Sequence, residues 1–136
     1  MILLTPQLRF ALRANDMARR AAAREDQPEP DPVPVVKFFN PLGAATWLAS
    51  ELDADGDTLF GLADPGFGCP ELGSFSLSEI TSVRLPYGLR IERDIAFETL
   101  HSLSVWADAA RRAGSILSAQ QELRSAGANK IPPQGG

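Results

Sequence analysis

The spacing of apolar residues changes several times along this chain, and each change predicts a new element. Leu8, Ala11 and Leu12 share one helical stripe, behind a capping hydroxyl at Thr5 and a proline at the first helical position, Pro6. Asn15-Asp16 is a natural place for that helix to end or break. Met17 to Arg24 favours helix by propensity but offers little apolar surface to bury. Asp26-Gln27-Pro28-Glu29-Pro30-Asp31-Pro32 then has the composition and stiffness of a linker. The predicted division is a helical arm over 1–24, an acidic proline-rich linker over 25–32, an α+β domain over 33–127 and a disordered tail over 128–136.

After the linker the period shortens to that of strands. Val35 to Phe39 is β-branched and aromatic, and Asn40-Pro41-Leu42-Gly43 is a turn. Ala45 to Leu52 and Leu59 to Ala63 flank an acidic hairpin loop, Asp53-Ala54-Asp55-Gly56-Asp57. Trp47, Leu48 and Leu52 also fit a helical period, but the turn and apolar segment that follow complete a hairpin. Pro65 to Pro70 is an irregular loop, and Leu72 to Phe75 a short strand. Ser76-Leu77-Ser78-Glu79 is a capping box for a short helix ending near Val83. Leu89 to Phe97 alternates as a half-buried strand, with Arg93 on its apolar side. Leu103, Trp106, Ala110, Ala113 and Leu117 form one long helical stripe, capped by Ser102 or Ser104. The fold class is α+β: about five strands in a twisted, mostly antiparallel sheet, packed by a long C-terminal helix, with an N-terminal helix.

Composition adds limits to this picture. With 136 residues, 44% hydrophobic and 22% charged, the chain suits one domain with a continuous core. No apolar run approaches a membrane span, and the four apolar residues at the start lack the basic region of a signal peptide. One cysteine, Cys69, forms no internal disulfide, so the expected compartment is the cytoplasm. The net charge of −4 is unevenly spread. Five arginines lie in residues 1–24 against Asp16 alone, whereas residues 33–100 carry ten carboxylates against Lys37, Arg84, Arg90 and Arg93. That acidity argues against direct nucleic-acid binding by the domain and leaves it to the arginine-rich arm.

Few residues carry chemistry. Asp53, Asp55 and Asp57 open with the spacing of a calcium loop, but Thr58 stands where such a loop needs glycine. An acidic turn is the plainer reading, and no metal site is predicted. Asp64 and Glu71 bracket the Pro/Gly loop and, with His101, are the candidate catalytic set; paired carboxylates and an imidazole suit general acid–base work. Their structural alternative is to accept hydrogen bonds from loop amides. Arg93, with Glu92 and Asp94, is the candidate binding group; internal pairing of Arg93 with Asp64 or Glu71 is the competing reading. Cys69 lacks a neighbouring base and reads as a small apolar filler. The glycines lack the order of a phosphate cradle, no serine sits in a nucleophile elbow, and no cofactor is predicted. Trp47 and Trp106 read as core.

Several blocks in one order carry a family resemblance: Val33-Pro34-Val35-Val36-Lys37-Phe38-Phe39, Ala45-Thr46-Trp47-Leu48, Asp57 to Asp64, Pro70-Glu71-Leu72-Gly73, Ser76-Leu77-Ser78-Glu79 and Ile91-Glu92-Arg93-Asp94. Over roughly Thr5 to Gly114 the chain resembles the domain of unknown function 2958 family. The resemblance implies a small bacterial accessory protein of plasmids and integrative elements, without supplying a reaction. Because no catalytic constellation in the sequence is specific, the expected function is a non-enzymatic macromolecular interaction module with an acidic, loop-rich surface and a protein partner. Two alternatives stand beside it: a small hydrolase-like or metal-dependent enzyme using Asp64, Glu71, Glu92 or His101, and a DNA-mimicking or DNA-adjacent factor.

Overall fold

In a computed structural model, which describes residues 1–129, five antiparallel strands form one sheet in the order β4-β3-β2-β1-β5. They are β1 (Val36–Phe39), β2 (Thr46–Leu52), β3 (Thr58–Asp64), β4 (Glu71–Ser76) and β5 (Glu92–Arg93). Helix α1 (Pro6–Arg24) precedes them, α2 (Leu77–Ser82) follows β4, and α3 (Leu103–Ala113) and α4 (Ile116–Asn129) close the chain. This is a single small α+β domain with an N-terminal helix.

Alternation along the central strands feeds two apolar clusters. Val36, Phe38, Ala49 and Leu59 join Leu3, Leu4, Leu12, Leu77, Ile80 and Ile91. Leu48 and Leu62, of opposite parity, join Trp106, Ala110, Ile116 and Ala119 from α3 and α4. Both faces of the sheet are therefore covered, and β2 is buried along nearly its whole length, Thr46, Ser50 and Glu51 included. Gly61 lets β2 and β3 approach closely, because a Cβ there would lie 1.8 Å from the Leu48 carbonyl oxygen.

Helix α1 is continuous through Asn15-Asp16, which corrects the expected break. The reason lies in β2. Pairing with β1 ends at Val36↔Ala49, so on that edge β2 runs on with no strand beside it, while β3 still pairs its other edge to Leu52. Asn15 donates to the Ser50 carbonyl at 2.9 Å and Arg13 to the Leu52 carbonyl at 2.7 Å. The helix thus takes the place of a strand there, and Leu12, fully buried, ties it into the core. The proline-rich segment is anchored as well. The Pro32 carbonyl accepts from Leu103 N–H, and Asp31 accepts from the backbone and hydroxyl of Ser104. Asp31, rather than the side chain of Ser102, caps α3.

Two further expectations are corrected. Of Leu89 to Phe97 only Glu92 and Arg93 pair with a strand; Asp94 then folds the chain into a turn by accepting from Ala96 N–H. The long C-terminal helix is two helices, divided at Gly114 in the left-handed region (φ 87°), with its N–H on the Ala110 carbonyl. The second runs past Gly127 to Asn129, and the rest of the tail read as disordered, 130–136, lies outside the described residues.

Candidate functional site

A groove of about 640 Å³ lies between the 97–101 segment and α4. Phe97, Leu100, Trp106 and Leu123 form its apolar part, while His101 and Arg124 stand on its polar rim. The Trp106 indole donates to the Thr99 hydroxyl at 3.0 Å and packs on Phe97 with ring centroids 6.1 Å apart. That contact fixes the 97–101 segment over the start of α3. Leu100 is 96% exposed on the groove's rim, a large side chain with nothing to pack on.

A second depression of about 440 Å³ shares Gln120 and Arg124 with the first and adds Lys37 and Asp94. Lys37 is buried although it sits in the middle of β1. Its ammonium donates to Gln120 Oε1 at 2.7 Å, lies 3.6 Å from Asp94 Oδ2 and stands over the Phe39 ring at 5.9 Å. Burial pushes its pKa down, Asp94 pulls it back up, and nearby Arg124 pushes it down again; the net direction is down. Among the described residues Arg124 makes no ion pair. The combined site is an apolar trough lined by Arg124, which makes no ion pair among the described residues, with Glu98 and Asp94 as the carboxylates of its wall.

The residues singled out from sequence are scattered. Asp64 is fully buried, its two oxygens accepting from Gly66 N–H and Ile116 N–H at 2.9 Å each. The bond from the loop amide of Gly66 is the structural alternative expected for it, and the bond from Ile116 N–H at the start of α4 is an addition to that expectation. Glu71 is exposed on β4. His101 is half-buried in the groove. Arg93 pairs with neither Asp64 nor Glu71, which corrects that expectation: its guanidinium donates to the Ile2 and Leu3 carbonyls at 2.8 and 3.0 Å. β4 and β5 are opposite edges of the sheet, so Glu71 and Arg93 are roughly 19 Å apart at four strand spacings. Glu92 lies beside Arg93, and of the six only Asp94 and His101 line the joined depressions. Cys69 is exposed in its loop, not a buried filler.

The acidic hairpin is turned on its own backbone. Asp55 accepts from Asp57 N–H, Thr58 N–H and the Thr58 hydroxyl, and the bonds from Thr58 and Asp57 hold its carboxyl down at about 2. Asp57 accepts from Ser76 and Ser78 and so secures α2. Among the described residues no three His, Cys, Asp or Glu side chains gather as a metal site, and no helix is long and apolar enough to cross a membrane. Sequence reading missed Lys37, Gln120 and Arg124. Only Lys37 left a signal there, as a charge between Val36 and Phe38 in an otherwise apolar strand.

The sheet and its helices define a single α+β domain whose candidate chemistry lies in one groove rather than in a carboxylate cluster. The chain belongs to the family described as "Protein of unknown function (DUF2958)", whose model matches residues 3–117. Gln120, Leu123 and Arg124 lie beyond that match. No curated protein and no solved structure matches the chain.

Proposed function

We propose that this protein is a non-enzymatic interaction module that receives a peptide segment of a protein partner in the groove beside α4. The observation that carries the reading is the apolar trough of about 640 Å³ with Leu100 exposed on its rim and Arg124 unpaired among the described residues at its end. That pattern suits a large apolar side chain next to an acidic one. The acidic hairpin is less suited to docking than its composition implies, since Asp55 and Asp57 are engaged internally and Asp53 meets Arg20 at 3.4 Å. The catalytic alternative lacks support: both oxygens of Asp64 are taken by backbone amides, Glu71 is exposed on β4, and His101 alone of the three lines the groove. The accessory role on plasmids and integrative elements belongs to the same proposal and rests on the family resemblance; the cytoplasmic location is proposed from the single cysteine.

The test is selection of a displayed random-peptide library on the wild-type protein, with counter-selection on Leu100→Glu and Arg124→Glu. Enrichment of an apolar–acidic motif that binds the wild type, and neither variant, supports the groove. Peptides that bind all three equally, or that lose binding only when Asp53 is replaced, refute it.

A further inference from the structure

On the far side of the sheet from the groove, Arg9, Arg84 and Arg90 line one open depression of about 570 Å³. They come from three separate stretches of chain. Arg9 is on α1; Arg84 follows α2; Arg90 follows a tight turn at Pro86–Gly88. In that turn Tyr87 and Gly88 adopt left-handed φ values of 63° and 71°, and Leu85 N–H bonds to the Leu89 carbonyl. The turn therefore reverses the chain so that Arg84 and Arg90 face the same hollow.

Among the described residues none of the three arginines has a carboxylate within ion-pair distance. On α1, Arg13, Arg19 and Arg20 are ion-paired, whereas Arg24, like Arg9, has no ion pair among the described residues. In a chain of net charge −4 an unpaired trio of guanidiniums needs a reason. Two of them are also partly pre-set. One nitrogen of Arg9 donates to the Gly56 carbonyl at 3.3 Å and one of Arg90 to the Thr81 carbonyl at 3.1 Å. The remaining N–H groups of each fork stay available, and the ordering cost on binding an anion is reduced.

The one carboxylate lining the hollow is Asp57, whose oxygens already accept from Ser76 and Ser78. Those hydrogen bonds hold it below its ordinary pKa, so it stays ionised and opposes an incoming anion. Three guanidiniums against one carboxylate leave two positive charges. We infer that Arg9, Arg84 and Arg90 form a binding site for a phosphoryl dianion, whether free phosphate or the phosphoryl group of a larger ligand. Planar guanidiniums pair with phosphate oxygens through two parallel bonds, and a dianion matches the local excess. This inference is independent of the groove.

The experiment is a titration of the full chain with inorganic phosphate at pH 7.5 and constant ionic strength, followed by backbone amide NMR shifts. Saturable shifts at Gly56 and at residues 78–90 are expected. They should weaken about tenfold or more in Arg84→Gln and in Arg90→Gln, each removing a charge-assisted contact. Arg84 makes no hydrogen bond or ion pair among the described residues, so Arg84→Gln should leave the melting temperature unchanged, separating lost binding from lost folding. Parallel titrations with a nucleoside monophosphate and a phosphoserine peptide divide the sources. Tighter binding of either indicates a phosphoryl group on a larger ligand, and equal affinity indicates free phosphate. Shifts that do not saturate, or that chloride reproduces at matched ionic strength, overturn the inference.

Discussion

On the α1 side of the molecule, Asp16 is 2% exposed and meets three arginines, Arg13 at 2.6 Å, Arg20 at 3.0 Å and Arg19 at 3.1 Å. Arg19 reaches on to Glu51 at 2.8 Å. On the α4 side, buried Lys37 has one carboxylate at 3.6 Å, and Arg124 has none among the described residues. The first region uses charge to hold a helix in place of a missing strand. The second leaves charge at the edge of an open trough. The contrast shows where structural demand ends: the arginine-rich start, which by composition suggested an acidic partner, is mostly neutralised from within.

The sharpest way to break that comparison is to detach α1. Leu12 is fully buried, and Leu12→Ala should cost about 3 kcal/mol in urea unfolding, as for other core leucines. A chain beginning at Val33 lacks Leu3, Leu4 and Leu12 together and should lose cooperative unfolding. A sharp transition in the shortened chain would return residues 1–24 to the status of an independent arm.

Next in size is the arginine cluster. Asp16→Asn leaves three guanidiniums without their shared partner, but all three are partly hydrated, so a loss of about 2 kcal/mol is expected rather than the full cost of a buried orphan charge. Burial raises the Asp16 pKa, yet hydrogen bonds and charge from Arg13 and Arg20 outweigh it and hold the carboxyl below its ordinary value. A depressed folded-state pKa gives stability that is present above the unfolded value, near 4, and lost as pH falls through the folded one. Unfolding midpoints measured from pH 5 to pH 2 should therefore fall more steeply for the wild type than for Asp16→Asn. Parallel curves would mean that Asp16 adds no linkage.

Arg93 joins the two regions, since it sits on β5 yet holds the carbonyls that precede α1. Arg93→Ala should cost about 1 to 2 kcal/mol, the scale of a charge-assisted hydrogen-bond pair. Arg93→Lys should recover part of it. A loss well beyond that range would point to a buried ion pair, the arrangement expected from sequence.

How far the sequence reaches follows from what each residue must satisfy. Strands β1 to β4 and the Ser76 cap were legible because alternation and turn chemistry are local. The continuity of α1 was not, because Asn15 and Asp16 oppose helix by propensity and only the free carbonyls of β2 and the arginine cluster reverse that. The shortness of β5 was hidden because Asp94 makes a turn that a strand-like pattern does not reveal. The split at Gly114 carried a local signal, a glycine followed by Ser115, that the longer apolar stripe obscured. The groove was least legible of all, since Lys37 and Gln120 meet across 83 residues of chain.

The smallest expected effect tests whether Lys37 serves the fold or only the groove. Its ammonium is desolvated, and a buried cation with a single distant carboxylate contributes little net stability. Methionine has a similar reach and no charge to desolvate, and the Asp94 carboxylate it leaves behind is 26% exposed and still bonded to Ala96 N–H. Lys37→Met should therefore fall within about 1 kcal/mol of the wild type at pH 7. The sign of its pH dependence is fixed by the lowered pKa. Between that folded value and the unfolded 10.5, the unfolded chain binds the extra proton, so wild-type stability gains relative to the variant as pH rises through the window. Denaturation of both proteins at pH 7, 9 and 10 reads this directly, because every other group is common to the pair. A variant several kcal/mol less stable at pH 7 would mean that the Lys37–Gln120 bond anchors α4. The groove would then owe its shape to the same kind of internal pairing that fixes α1, and the contrast between the two regions would disappear.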